Sequence, residues 1–152
     1  MSTTPRPAPE TRDRYRRFYP IPTRWMDNDV YGHVNNAVYY AYFDTVINRY
    51  LIDEGGLDVT AGAAIGLCVE SGCNYFAPVA FPEELEGGLR VARLGASSVR
   101  YEVGIFARGS AAARAQGHFV HVFVDRAARR PAPLPPRLRD ALARITAPLG
   151  DG

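Results

Sequence analysis

The sequence predicts an α+β fold in which a curved antiparallel β-sheet wraps one long buried helix. Residues 37–54 are compatible with a helix and are apolar over most of its circumference, so that helix must be buried on most sides. Segments further along the chain alternate apolar and polar residues, or are apolar on both faces, as strands do. No helical pattern separates these later segments, which favours hairpins and a meander.

The predicted helix has recognisable ends. Asn36 is a favoured N-cap residue immediately before the stretch, and Gly55 and Gly56 stop the helix after residue 54. The polar positions form one narrow stripe of (i, i+4) pairs, Asp44 with Asn48 and Thr45 with Arg49. A chain of 152 residues can cover the remaining surface of such a helix only by curling a sheet around it.

Five strands are predicted, at residues 14–25, 65–76, 89–94, 98–107 and 119–124. The first contains prolines, which are typical of an edge or bulged strand. The last is apolar on both faces, as a central strand is. The pair Gly87 and Gly88 is interpreted as a break, and Pro136 as the first residue of a short helix that ends near Ile145.

Length and composition fit one domain, with a flexible tail at 1–13, a single domain at 14–147 and a C-terminal tail at 148–152. Apolar residues make up 47% of the chain and charged residues 22%, which excludes wholesale disorder. The net charge of +2 is too balanced for an electrostatic nucleic-acid binder. The absence of a bilayer-spanning or signal-peptide segment predicts a cytoplasmic protein without membrane partners. Cys68 and Cys73 are interpreted as reduced core residues.

The segment with chemical potential is DNDVYGHVNN, residues 27–36, which combines carboxylates, an imidazole and amides just before the helix. The first N–H groups of the helix point back at this segment and can polarise a carbonyl docked there. A neighbouring carboxylate could attack that carbonyl or deprotonate a water molecule. A thioester suits so sparse a site, because its thiolate leaving group needs little acid assistance. By itself this argument permits a thioesterase without requiring one.

Residues 24–51 resemble the opening of the hotdog-fold acyl-CoA thioesterases of the 4-hydroxybenzoyl-CoA thioesterase family. The core of the resemblance is an Asp-x-x-x-His-Val-Asn-Asn signature, which occupies residues 29–36. Weaker similarity continues through residues 89–103 and 117–142, so the resemblance covers roughly residues 15–145. It implies a hotdog fold, in agreement with the fold predicted from the patterns above.

The resemblance assigns the catalytic carboxylate to Asp29 and the N–H that polarises the carbonyl to about Asn36. His33 and Asn35 match signature positions that shape the site. We add Tyr31 and Tyr39 as candidate substrate contacts. The family also implies a homodimer or homotetramer with interfacial active sites, acyl-CoA as substrate, and neither a metal nor an organic cofactor.

Each of these residues also has a structural interpretation. Asp29 could serve only as a turn residue, and His33 could serve only in packing. Asn35 and Asn36 could act as caps as well as in the site, whereas Asp27 is expected to be structural. Outside the signature, Asp44 could simply face solvent. Three arginines could contact CoA phosphates or only solvent, namely Arg90, Arg93 and Arg100. His118 and His121 should lie on opposite faces of a strand.

Three other functions stay open. A hotdog hydratase of enoyl thioesters is one, although its Asp-x-x-x-x-His spacing is longer by one residue than the spacing of Asp29 and His33. A non-catalytic acyl-thioester binding module is another. Acyl carrier protein could also replace CoA, although the near-neutral charge offers no strong basic patch for so acidic a partner.

Overall fold

The computed structural model describes residues 7–146. Its five strands form one antiparallel sheet in the order β1-β3-β4-β5-β2, and a long helix, α1, and a short one, α2, accompany it. The α+β class and the helix-and-sheet arrangement expected from the sequence are therefore confirmed. The elements are β1 (Arg17–Pro22), α1 (Val38–Asp53), β2 (Ala64–Tyr75), β3 (Glu84–Leu94), β4 (Ser98–Ala107), β5 (Ala115–Asp125) and α2 (Pro136–Arg144).

Helix α1 is buried along most of its length, as its composition predicts. Its core residues are Tyr39, Tyr42, Phe43, Val46, Ile47, Tyr50 and Leu51. Gly117 of β5 permits the close approach, since a side chain there would overlap the ring of Phe43. The predicted cap is wrong, because the residue before α1 is Ala37 and the helix begins without a side-chain cap. In the turn that precedes it, the Oδ1 of Asn35 accepts the N–H of Ala37 at 2.9 Å.

The strand predictions differ mainly in length. β4 spans the predicted residues, β1 lies at a sheet edge as its prolines indicate, and β5 lies inside the sheet. The break predicted at Gly87 and Gly88 is wrong, because both residues lie within β3, opposite Tyr19 and Phe18 of β1. Their missing side chains leave room for Val46 of α1 at position 87 and for Tyr15 at position 88.

The two sheet edges are unlike each other. β1 has six residues and two prolines, which blunt an edge, whereas β2 has twelve residues and no proline. Exposed positions on β2 include Leu67 and Val69. The prediction that both cysteines are core residues is wrong for Cys68, which is exposed on this edge strand, whereas Cys73 is half-buried and packs against the core.

The chain before β1 packs on the outer face of the sheet, which the sequence did not predict. Arg90 of β3 pairs with Glu10 and Glu102, and its guanidinium lies 4.7 Å from the ring centroid of Tyr15. Tyr15 joins Phe106 in a small second core. Of the predicted tails, residues 1–6 and 148–152 lie outside the described residues. Between residues 7 and 146, no helix is long and apolar enough to cross a membrane.

Candidate active site

The loop before α1 folds into a tight turn that carries the signature residues. The N–H of Asp29 donates to the carbonyl of His33 at 2.9 Å, and the N–H of Gly32 donates to the carbonyl of Asp29 at 3.1 Å. Gly32 has φ +83°, a conformation that residues with a side chain rarely adopt. The N–H of Val34 donates to Val79 at 2.8 Å and ties the loop to the chain after β2.

The buried side chain of Asp27 holds this loop in place through several hydrogen bonds. Its carboxylate is 1% exposed and accepts hydrogen bonds from the Tyr42 hydroxyl at 2.7 Å and from the N–H and guanidinium of Arg24. Burial alone would raise the pKa of Asp27, but these hydrogen bonds outweigh it and lower the pKa. Burial and the Asp27 carboxylate together raise the pKa of Tyr42, which keeps its proton on the shared hydrogen bond. Asp27 is thus fully engaged in structure.

Asp29 is held differently. Its Oδ1 accepts the N–H of Tyr31 at 2.9 Å, whereas its Oδ2 has only a long contact of 3.4 Å with Nδ2 of Asn35. The residue is half-buried and faces a cleft. A carboxylate has about four acceptor positions, so Asp29 retains acceptor capacity on the cleft side.

Asn35 and Asn36 form the other side of the turn. The Oδ1 of Asn35 accepts the N–H of Ala37 in the turn before α1, while the backbone N–H of Asn35 donates to the carbonyl of Asp27 at 2.9 Å. The carbonyl of Asn36 accepts the hydroxyl of Tyr75 at 2.9 Å. The N–H of Asn36 has no hydrogen-bond partner within residues 7–146 and lies at the positive end of the helix dipole. Because Asn36 lines the cleft, its N–H is a candidate donor for a ligand bound there.

The cleft has a volume of about 420 Å³ and lies between this loop and the segment that follows β2. Burial raises the pKa of both Tyr39 and Tyr75, whose rings meet edge to face at 5.0 Å, so both are protonated at neutral pH. The wall combines one carboxylate, one exposed imidazole and mostly apolar surface. Its residues are Asp29, Tyr31, His33, Val34, Asn36, Tyr39, Tyr75, Phe76, Ala77 and Pro78.

The structure brings the candidate residues together around this one cleft. Asp29, Tyr31, His33, Asn36 and Tyr39 line it, and Asn35 contacts Asp29 from behind. The imidazole of His33 is exposed and makes no hydrogen bond with the carboxylate of Asp29 in the described structure.

Sequence reasoning missed the opposite wall, formed by Tyr75 and residues 76–78. The pairing of β2 with β5 places the end of β2 beside the cleft. The N–H groups of Phe76 and Ala77 then donate to the carbonyl of Arg114 and hold this segment in position. Arg114 in turn donates to the carbonyl of Pro78 at 2.9 Å. The only signal in the sequence was the proline after the predicted strand.

Other candidate groups lie elsewhere. The guanidinium groups of Arg90 and Arg100 are engaged by Glu10, Glu70 and Glu102 on the sheet. His118 contacts Glu70 at 2.9 Å while His121 faces the core, so the prediction of opposite faces is confirmed. Across the part of the chain that the structure describes, no three His, Cys, Asp or Glu side chains are grouped as metal ligands.

A hotdog fold with a carboxylate and the start of a helix beside one cleft is the arrangement expected of a thioesterase-like protein. The family model described as the thioesterase-like superfamily matches residues 23–142, and the chain belongs to that superfamily. The narrower 4-hydroxybenzoyl-CoA thioesterase family suggested by the signature is not established by this match. Among curated proteins, none matches the sequence.

Solved structures agree with this assignment. The PA5185 protein of Pseudomonas aeruginosa is 58% identical, covers 92% of this chain and 98% of its own, and has a TM-score of 0.91. A Thermus thermophilus thioesterase, solved with coenzyme A and Zn, is 30% identical over 84% of this chain and 98% of its own, with a TM-score of 0.70. The Synechocystis 1,4-dihydroxy-2-naphthoyl-CoA thioesterase is 22% identical over 83% of this chain and 94% of its own, with a TM-score of 0.75, and supports the fold.

Proposed function

We propose that this protein is an acyl-CoA thioesterase that hydrolyses a fatty or aromatic acyl-CoA to the free acid and CoA. The observation that supports the proposal is that Asp29 and Asn36 line the same cleft and that the N–H of Asn36 has no hydrogen-bond partner within residues 7–146. The first supplies a base or nucleophile, and the second supplies a fixed donor for the charge that develops on the carbonyl oxygen.

In this mechanism the thioester carbonyl lies against the N–H of Asn36. Asp29 either takes a proton from a water molecule that adds to the carbonyl carbon, or adds to that carbon itself and forms an anhydride that water then hydrolyses. In both routes the C–S bond breaks and the thiolate leaves, later taking up the proton that water lost. A thiol has a pKa of about 8.5, so no strong general acid is required, in keeping with a cleft whose tyrosines hold their protons.

The remaining candidate residues have supporting roles. Asn35 positions Asp29 and holds the turn before α1, His33 and the exposed Tyr31 form the rim, and Tyr39 forms an apolar wall for the acyl group. The coenzyme A in the Thermus thermophilus thioesterase supports CoA as the carrier here. Acyl carrier protein is the weaker alternative, because the net charge is only +2. We expect no metal, organic cofactor or nucleic acid to take part, and we expect the protein to act in the cytoplasm.

A homodimer or homotetramer is part of the proposal. The outer edge of β2 has no strand partner within the described residues, and it presents Leu67 and Val69 at 40% and 61% exposure. Long apolar edge strands are usually paired or covered. Light scattering should therefore give at least twice the monomer mass, and Leu67→Lys should lower it; a monomeric wild type would contradict this part.

Thiol release from a panel of acyl-CoAs tests the proposed activity, with wild type and Asp29→Asn assayed together. We expect release by wild type and loss of most of it in the variant. Crotonyl-CoA in the panel tests for the alternative hydratase activity. The described structure has no hydrogen bond between His33 and the Asp29 carboxylate, which argues against that activity. Binding of acyl-CoA without release of any thiol would instead indicate a binding module and would contradict the proposal.

A further inference from the structure

Tyr75, the last residue of β2, makes a hydrogen bond to the start of α1 at the candidate active site. Its hydroxyl donates to the backbone carbonyl of Asn36 at 2.9 Å, and both residues line the same cleft. The two residues are 39 positions apart in the chain, so the bond is a tertiary contact between an edge strand and the loop that carries Asp29. It lies next to the N–H group that the proposed mechanism needs to be fixed.

Helix α1 makes no use of the Asn36 carbonyl. In a regular α-helix this carbonyl would accept the N–H of Tyr40, four residues further on. The N–H of Tyr40 donates instead to the carbonyl of Ala37, at 3.3 Å. Within residues 7–146, the Tyr75 hydroxyl is therefore the partner that holds the Asn36 carbonyl.

The peptide unit that joins Asn36 to Ala37 is held at both of its polar ends. Its carbonyl accepts the Tyr75 hydroxyl, and its N–H donates to Oδ1 of Asn35 at 2.9 Å. The preceding peptide unit is held only by its carbonyl, since Asn35 accepts the N–H of Val38 at 2.9 Å, and its other end is the open N–H of Asn36. Peptide units are planar and these two meet at the Cα of Asn36, so fixing the second limits the directions in which the open N–H can point.

The Tyr75 side chain is itself held in place. The pairing of β2 with β5 continues to Tyr75, which lies opposite Ala115, and the next two N–H groups donate to the carbonyl of Arg114. The ring of Tyr75 meets that of Tyr39 edge to face, at 5.0 Å between centroids. Burial, and after it the neighbouring Cys73 sulfur, raises the pKa of Tyr75, so the hydroxyl keeps its proton and is a donor at neutral pH.

We infer that Tyr75 is a positioning residue, which directs the Asn36 N–H at the thioester carbonyl by holding the peptide unit that follows it. The inference rests on the proposed function, which assigns this N–H to the charge that develops on the carbonyl oxygen. Tyr75 acts through Asn36 and is not a general acid, because its proton is committed to the Asn36 carbonyl. Donors stabilise such charge best when they are fixed before the reaction, so a freer peptide should lower kcat and leave KM nearly unchanged.

Tyr75→Phe removes the hydroxyl and keeps the ring, and Tyr50→Phe is the matched control. The Tyr50 hydroxyl also donates to a backbone carbonyl, that of Ala141, but Tyr50 lies in the C-terminal half of α1 and does not line the cleft. Each variant loses one bond from a hydroxyl to a carbonyl, so both should lower the melting temperature. Only Tyr75→Phe should lower kcat, on the order of tenfold, which is less than the roughly 10²- to 10³-fold cost of removing such a donor outright. Its KM should stay within about twofold of the wild-type value.

Backbone NMR tests the contact without any substrate. Tyr75→Phe should shift the amide signals of Asn36 and Ala37, whereas Tyr50→Phe should leave both in place. Should Tyr75→Phe fail to fold, fluorotyrosine incorporated at position 75 keeps the shape of the side chain, and its hydroxyl ionises at a lower pH. The loss of the donor should then move the alkaline fall of kcat to a lower pH than in wild type.

The results that would overturn the positioning role differ from those that would overturn the proposed function. Unmoved Asn36 and Ala37 signals, a wild-type kcat in Tyr75→Phe, or an unchanged alkaline profile with fluorotyrosine would exclude the positioning role alone. A raised KM with unchanged kcat would also exclude it and would make Tyr75 only a wall for the substrate. A wild type that releases no thiol would overturn the proposed function, and the positioning role with it, whether or not the amide signals move.

Discussion

Two aspartates separated by a single residue have opposite environments in the loop before α1. Asp27 is buried and its carboxylate is saturated by Tyr42 and Arg24, whereas Asp29 is half-buried with one firm hydrogen bond and a face on the cleft. In the proposed mechanism, this difference gives Asp27 a supporting role and Asp29 the chemical one. Asp27 fixes the loop, and that rigidity lets Asp29 keep acceptor capacity for substrate or water.

The largest expected effect is that of Asp29→Asn on turnover. The amide keeps an oxygen for the N–H of Tyr31 but is a poor base, so thiol release should fall about 10²- to 10⁴-fold. The free energy of unfolding should change by less than about 0.5 kcal/mol. Asp53→Asn, which changes an exposed carboxylate at the C-terminal end of α1, is the control and should retain activity. Full activity in Asp29→Asn would remove this residue from the mechanism.

Asp27→Asn should show the reverse pattern. Asp27 is fully buried while its partner Arg24 is 66% exposed, so removing the charge weakens the hydrogen bonds to the carboxylate but strands no buried cation. The free energy of unfolding should fall by about 2 kcal/mol, measured by urea denaturation. The folded variant should keep most of its turnover, because Asp27 does not line the cleft. Equal losses of turnover in the two variants would contradict the division of roles.

The contribution of Asp27 should depend on pH in one direction. The pKa of Asp27 is lower in the folded protein than the ordinary value of 3.8. The charged carboxylate therefore adds to the free energy of unfolding above that pH, and this stabilisation is lost as pH falls through the folded pKa. Urea midpoints of wild type and Asp27→Asn should therefore differ at neutral pH and converge below about pH 3.8. A constant difference down to acid would show that charge is not the cause.

Tyr42→Phe removes one donor from the same buried carboxylate and should cost about 2 kcal/mol. Tyr101→Phe is a matched control, because the Tyr101 hydroxyl is buried without a partner among the described residues. Thermal melts should show destabilisation only for Tyr42→Phe. Destabilisation of similar size in both would mean that packing, and not the hydrogen bond, is being measured.

Asn35 connects the two aspartates, and its variants should have the smallest effects. Asn35→Ala loses the hydrogen bond to the N–H of Ala37 in the turn before α1 and should cost about 1 kcal/mol. Asn35→Asp keeps an oxygen for that N–H but removes the donor near Asp29, so it should reduce turnover while largely preserving the melting temperature. Unchanged turnover in Asn35→Asp would show that the 3.4 Å contact does not position Asp29.

The sequence was sufficient for those parts of the molecule that depend on local patterns. Alternation along residues 98–107 predicted β4, and the apolar circumference of residues 37–54 predicted the buried helix. The candidate residues on the loop before α1 could be selected because the turn and the helix start lie close together along the chain.

Features created by distant contacts could not be predicted in this way. The wall at Tyr75 reaches the cleft through the register of β2 with β5, and Gly87 and Gly88 lie in a strand because Val46 and Tyr15 need their space. Neither the Tyr42 hydroxyl on Asp27 nor the Tyr75 hydroxyl on the Asn36 carbonyl has a signature in the sequence.

The most direct test of the central claim measures thiol release and the free energy of unfolding in parallel for wild type, Asp29→Asn and Asp27→Asn. The account predicts that Asp29→Asn is stable and nearly inactive, and that Asp27→Asn is destabilised yet active while folded. An active Asp29→Asn, or an Asp27→Asn that is stable and inactive, would contradict it.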